Sequence, residues 1–165
     1  MSWFNQKQNK AKNTGLAVVV AAAMGGGFQF GSRSDTNLQT LCTATQQLAQ
    51  CMIEQTTVDF TVIEGYRSQE RQNKLYAKGR TEAGNKVTWT LNSRHTSARA
   101  FDIVALKESG EQSWDPKYYK EVNKAAEKCS SLTGIGYTWG GTFSGRDWGH
   151  FETKQCVVKA TEADT

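Results

Sequence analysis

Only two histidines occur in the 165-residue chain, and each stands beside carboxylates. His95 lies in Ser93-Arg94-His95-Thr96-Ser97-Ala98-Arg99-Ala100-Phe101-Asp102, and His150 lies in Asp147-Trp148-Gly149-His150-Phe151-Glu152. Two neutral imidazoles plus one carboxylate are a ligand set for a catalytic zinc, with water in the fourth position. A further carboxylate close to such a metal can act as general base on that water. A single His-x6-Asp spacing would be ordinary for unrelated core or surface side chains. Two clusters that use every histidine of the chain make a metal site the better reading.

The clusters also resemble the zinc peptidases of the D-Ala-D-Ala carboxypeptidase and L-alanyl-D-glutamate endopeptidase group. Their motifs read Ser-x-His-x-x-Gly-x-Ala-x-Asp and then Asp or Glu-x-x-His. Ser93, His95, Ala100, Asp102, Asp147 and His150 fall in register with them. The upstream run Val62-Ile63-Glu64-Gly65-Tyr66-Arg67-Ser68-Gln69-Glu70-Arg71-Gln72 is similar to the phage endolysin branch, and the resemblance spans residues 36–158. It implies zinc held by His95, Asp102 and His150, with Asp147 as general base. It implies Arg67 as a clamp on a substrate carboxylate or on the tetrahedral oxyanion, a role suited to a fork-shaped cation. Ser93 would support the substrate or the metal loop. The implied substrate is the peptidoglycan stem peptide, cut by a phage lysin, and the upstream run favours L-alanyl-D-glutamate endopeptidase over D,D-carboxypeptidase. One departure is visible: Ala98 stands where the family pattern has Gly, and a positive φ there would strain it.

The elements that must position these residues alternate helix and strand. Leu38, Leu41, Thr45, Leu48 and Met52 recur at helical spacing, which predicts a helix over 36–54. Residues 59–64 alternate and are β-branched, so they read as a strand. Ser68 caps a helix running to Lys78. Residues 79–98 read as a loop, and Arg99–Leu106 as a strand with Ala100, Asp102 and Val104 on one face. Asp115-Pro116 starts a helix to Ser131. Residues 135–139 and 148–153 read as two further strands. The class is α+β. The resemblance makes it a small antiparallel sheet with flanking helices, as in the D,D-peptidases and the hedgehog domain. By the two-residue strand period His150 and Glu152 share a face and Asp147 does not. The chain must therefore bend between 147 and 150, and Gly149 is the residue that would allow it. Glu152 is the fallback base or a partner that orients an imidazole. Trp89, Tyr137, Trp139 and Trp148 are candidates to wall a peptide groove, though large aromatics usually pack in the core.

Charge and cysteines bound the rest. The net charge is +4. Residues 1–34 carry Lys7, Lys10, Lys12 and Arg33 with no acid, and the other 16 basic and 16 acidic residues cancel. A near-neutral body offers no basic face for nucleic acid. Asn13–Ser32 is uncharged and, as a helix, about 30 Å long, the thickness of a bilayer core. Residues 1–34 thus read as a signal, a membrane anchor or a segment packed in a virion, and residues 35–165 as the peptidase domain. The location implied is periplasm or cell wall, with a virion as the alternative. Cys42, Cys51, Cys129 and Cys156 lack metal-site spacing. They read equally as buried thiols or as disulfides. On one helix Cys42 and Cys51 would stand about 13 Å apart and could not pair, leaving Cys129–Cys156 or cross pairs. Two other functions compete: a virion component carrying the peptidase for entry through the wall, and a zinc-binding module without activity. Asp147 weighs against the latter, since a bare zinc site needs no base.

Overall fold

Two runs of β-branched and aromatic residues form one edge of the sheet and its neighbouring strand in the computed structural model, which describes residues 27–157. They are β1 (Phe60–Glu64) and β2 (Ala100–Leu106). β3 (Gln112–Ser113), β4 (Tyr137–Trp139) and β5 (His150–Thr153) complete an antiparallel sheet of order β1-β2-β5-β4, with β3 on β2. Four helices flank it: α1 (Ser32–Leu38), α2 (Thr43–Gln55), α3 (Gln69–Ala77) and α4 (Pro116–Thr133). The architecture is the expected α+β.

One face of the sheet is the core. Val62, Phe101, Ile103, Ala105 and Phe151 pack with Leu48, Met52 and Ile53 of α2 and with Tyr119, Val122 and Ala126 of α4. Each large apolar side chain buried this way contributes roughly 1.5–3 kcal/mol. Two of the helices, α3 and α4, start where local chemistry predicts. The Ser68 side chain accepts from Arg71 N, and that of Asp115 from Lys117 N ahead of Pro116. Gly134 ends α4 in the left-handed conformation.

The helix expected over 36–54 is two helices. Between them the chain turns to serve the sheet. Asn37 Nδ2 donates to Val62 O at 2.9 Å, and Thr40 Oγ1 accepts from Tyr66 N at 2.9 Å. Cys42 is extended and its N–H donates to Ala98 O at 3.0 Å. Long-range bonds thus displace the local helical ones, which the spacing of apolar residues cannot report. All four cysteines are paired, Cys42 with Cys156 and Cys51 with Cys129. The cross pairs form and Cys129–Cys156 does not. The sequence separations are 114 and 78 residues. On the chain-entropy account, loops of that size stabilise by about 4–5 kcal/mol each.

Residues 1–26 lie outside the described residues, and with them most of the basic and apolar segment. Its later part is built into the body. Phe28 and Phe30 pack on the core, Phe30 edge-on to Phe60 at 5.5 Å, and buried Ser34 accepts from Val62 N at 3.0 Å. Among the described residues no helix is long and apolar enough to cross a membrane.

Ala98 closes a short 3-10 turn, Arg94–Ser97, with φ 57° and ψ 25°. This is the left-handed region, where an L residue with a Cβ is disfavoured by about 1 kcal/mol or more. The departure from Gly therefore costs stability at that position. Ala98→Gly should stabilise the protein by about 0.5–1 kcal/mol in urea unfolding. A less stable variant would show that methyl packing outweighs the backbone strain.

Candidate active site

Register brings the site together. Asp102 on β2 pairs directly with His150 on β5, and on its other side with Glu64 on β1. The β1–β2 ladder slips by one residue between Val62 and Glu64. By simple alternation Glu64 would share the core face of Phe60 and Val62. The bulge turns it to the face of Asp102. Glu64, Asp102 and His150 thus form a row across three strands. His95 reaches the row from the 3-10 turn just before β2, where the Ser93 side chain accepts from His95 N at 3.3 Å.

Each imidazole is held by a bond on its far nitrogen. His95 Nδ1 donates to Gly65 O at 2.7 Å, and its Nε2 faces Asp102 Oδ1 at 3.2 Å. His150 Nε2 meets Glu152 Oε2 at 3.2 Å, and its Nδ1 faces the same Asp102 Oδ1 at 3.0 Å. Such outer bonds fix tautomer and ring orientation in metal sites. Gly65 is required where it stands, because a Cβ there would meet Asn37 O at 2.3 Å. The ligand atoms of His95, Asp102 and His150 all lie within 4.8 Å of one another. Two nitrogens and a carboxylate oxygen converging on one point fit a divalent metal.

Asp147 enters by a turn. Its carbonyl accepts from His150 N at 3.2 Å, so the bend between 147 and 150 is made by a four-residue turn. Gly149 serves another purpose than the one expected. Its carbonyl accepts from Ile103 N at 3.0 Å, and a Cβ there would stand 2.7 Å from Ile103 O. It is a close-approach glycine on β2.

The electrostatics follow from burial. Burial raises the Asp147 carboxyl above its ordinary value and the charge of Asp102 adds to this, while His150, His95 and Arg67 pull the other way. Burial alone would raise Asp102 too, but hydrogen bonds from His150 and His95 outweigh it and hold that carboxyl well below the carboxylate range. Burial opposes charge on His150 as well. The bonds to Asp102 and Glu152 prevail and push it up to about 9. Glu152 is lowered, chiefly by its bond from His150. Its contact with His150 Nε2 suits the second of the two roles expected for it, that of a partner to an imidazole.

A cleft of about 1090 Å³ opens over the row, lined by His95, Asp102, Asp147, His150 and Glu152 among others. Ser93 lines it too and caps the metal-loop turn. Arg67 lines it, but its guanidinium is already engaged. It is buried, grips Glu64 through Nε and Nη2, and donates from Nη1 to Gln72 Oε1 at 2.7 Å. Nη2 stands 3.6 Å from Asp102 Oδ2. Arg67 thus buttresses Asp102 from behind. Of the aromatics, Trp89 lines the cleft and is 74% exposed, whereas Tyr137, Trp139 and Trp148 pack against the core. Phe143 lines the cleft 5.9 Å from the His150 ring. Glu64 and Gln72 were not singled out from sequence as site residues. The signal was there for Glu64: an acid sharing parity with the buried positions of a strand needs a partner.

The chain is similar to known proteins in sequence and fold. The phage L-alanyl-D-glutamate peptidase family matches residues 26–162. The peptidoglycan L-alanyl-D-glutamate endopeptidase CwlK of Bacillus subtilis is 33% identical over 100 residues, 58% of this chain and 57% of that protein. The chain thus spans little more than half the length of this relative. The L-Ala D-Glu endopeptidase ChiX of Serratia marcescens superposes with a TM-score of 0.66 at 30% identity, over 75% of this chain and 88% of that one. By sequence over most of its length, and by fold, the chain belongs to the phage L-alanyl-D-glutamate peptidase family.

Proposed function

We propose that the chain is a zinc-dependent endopeptidase that cuts the L-alanyl-D-glutamate bond of peptidoglycan stem peptides and acts as a phage lysin. The observation that carries this reading is the convergence of His95, Asp102 and His150 beneath a cleft into which Asp147 also opens. When bound, zinc would polarise the scissile carbonyl and acidify a water. Asp147, which lines the cleft, would take the proton of the attacking water and return it to the leaving amine. Its raised carboxyl makes it a better base than an exposed aspartate while it stays ionised. Glu152 and the Gly65 carbonyl keep the two imidazoles in the tautomers that ligation requires. The two disulfides favour an oxidising location, periplasm or wall. Residues 1–26 would set that location.

Chemical, metal-binding and kinetic measurements test this. Digestion of purified peptidoglycan should release new N-terminal D-glutamate, read by mass analysis; new D-alanine termini alone would make the protein a carboxypeptidase instead. Metal analysis should give about one zinc per chain, lost in His150→Ala. Because His150 holds its proton up to about 9, zinc added to the metal-free protein at neutral pH should displace about one proton. Titration calorimetry in buffers of different ionisation enthalpy would read that proton, and its absence would show His150 already neutral in the metal-free protein. Asp147→Asn should keep the metal and lose about 10²- to 10⁴-fold in kcat. Wild-type activity should fall as pH drops through the raised carboxyl of Asp147, and an acid limb unchanged in Asp147→Asn would move the base elsewhere.

A further inference from the structure

Gln72 is fully buried on α3, and its side-chain amide makes three hydrogen bonds, two from Nε2 and one at Oε1. Oε1 accepts from Arg67 Nη1 at 2.7 Å. Nε2 donates to Thr88 Oγ1 at 3.1 Å and to Thr90 O at 2.7 Å. One direction leads to Arg67, whose Nη2 stands 3.6 Å from Asp102 Oδ2. The other leads into residues 87–92, which have neither helix nor strand and supply one wall of the cleft through Val87, Thr88, Trp89, Thr90 and Asn92.

That wall has no strand partner, and side chains from α3 and just beyond it hold its carbonyls instead. Gln69 donates to Leu91 O at 3.0 Å, Gln72 to Thr90 O, and Arg80 to Thr88 O at 3.2 Å. Gln69 and Arg80 act from the surface side of this segment. Gln72 alone of the three also bonds a group that faces a metal ligand. A buried amide bonded at both its nitrogen and its oxygen has one low-energy orientation. It therefore sets the spacing between the wall and the centre.

We infer that Gln72 is a positioning residue. It ties the substrate wall at residues 87–92 to Asp102 through Arg67, so that substrate binding depends on it more than chemistry does. The kinetic part rests on the proposed peptidase activity; the anchoring part does not.

The discriminating variant is Gln72→Glu. A carboxylate still accepts from Arg67 but has no donor for Thr88 or Thr90, and it repels the Thr90 carbonyl. Thr88→Val removes one acceptor on the wall and leaves Arg67 untouched. Both would be made in the full, disulfide-bonded chain. Hydrogen exchange should quicken in residues 86–92 of Gln72→Glu by about tenfold or more, with β2 and β5 unchanged, the loss of hydrogen bonds worth about one decade each. On muropeptide substrate KM should rise by about tenfold, with kcat within about threefold and zinc content unchanged. Thr88→Val should shift both in the same direction by less. Unchanged exchange in 86–92 overturns the inference, and so does a uniform quickening across the sheet or a fall in kcat with loss of metal. If Gln72→Glu does not fold, Thr88→Val decides alone, and unchanged exchange there overturns it. A wild-type protein that cuts no stem peptide would refute the proposed function, while the exchange data would still judge the anchoring.

Discussion

The site is organised around one half-buried carboxylate. Asp102 offers Oδ1 to both imidazoles and presents Oδ2 to Arg67. A charge in that position is tolerable only because several polar groups face it, and each of those must itself be satisfied. His95 is satisfied by a backbone carbonyl, His150 by Glu152, and Arg67 by Glu64 and Gln72. The network closes on three strands, one turn and one helix. Any element that moved would leave a charged or polar group unpaired away from water, which is the expensive state.

That demand explains features that look accidental one at a time. The bulge in β1 delivers Glu64 to the correct face. Gly65 lets the chain pass against α1 so that its carbonyl can meet His95. Gly149 lets β5 begin close enough to β2 for Asp102 and His150 to stand side by side. Arg67 N donates to His95 O at 3.2 Å, so the segment that follows β1 is bonded to the metal-loop turn by backbone as well as by side chain.

A body of this size, with one sheet face given to a polar site, has a limited apolar core. The disulfides compensate in the right places. Cys51–Cys129 joins α2 to α4, the two helices beneath the core face, and Cys42–Cys156 joins the start of α2 to the chain leaving β5. Both hold the layer that supports the strands of the site, and neither touches the cleft.

The residues that converge in the cleft were legible in the sequence because residue type and short spacing carry that information. A ligand set needs particular atoms, and His95, Asp102, Asp147 and His150 are separated by few residues within each cluster. Four of the five strands were legible too, since alternation is local, whereas the two-residue β3 exists only through its pairing with β2. Glu64, Gln72 and the committed fork of Arg67 were not, because each is defined by a partner and a direction, and those depend on the bulge in β1 and on where α3 lies. The break at residues 39–42 and the pairing of the cysteines belong to the same class. Local sequence sets which groups can do the chemistry and which segments can be helix or strand. The tertiary structure alone decides register, pairing and facing, because those are settled by long-range bonds that compete with, and here outweigh, the local ones.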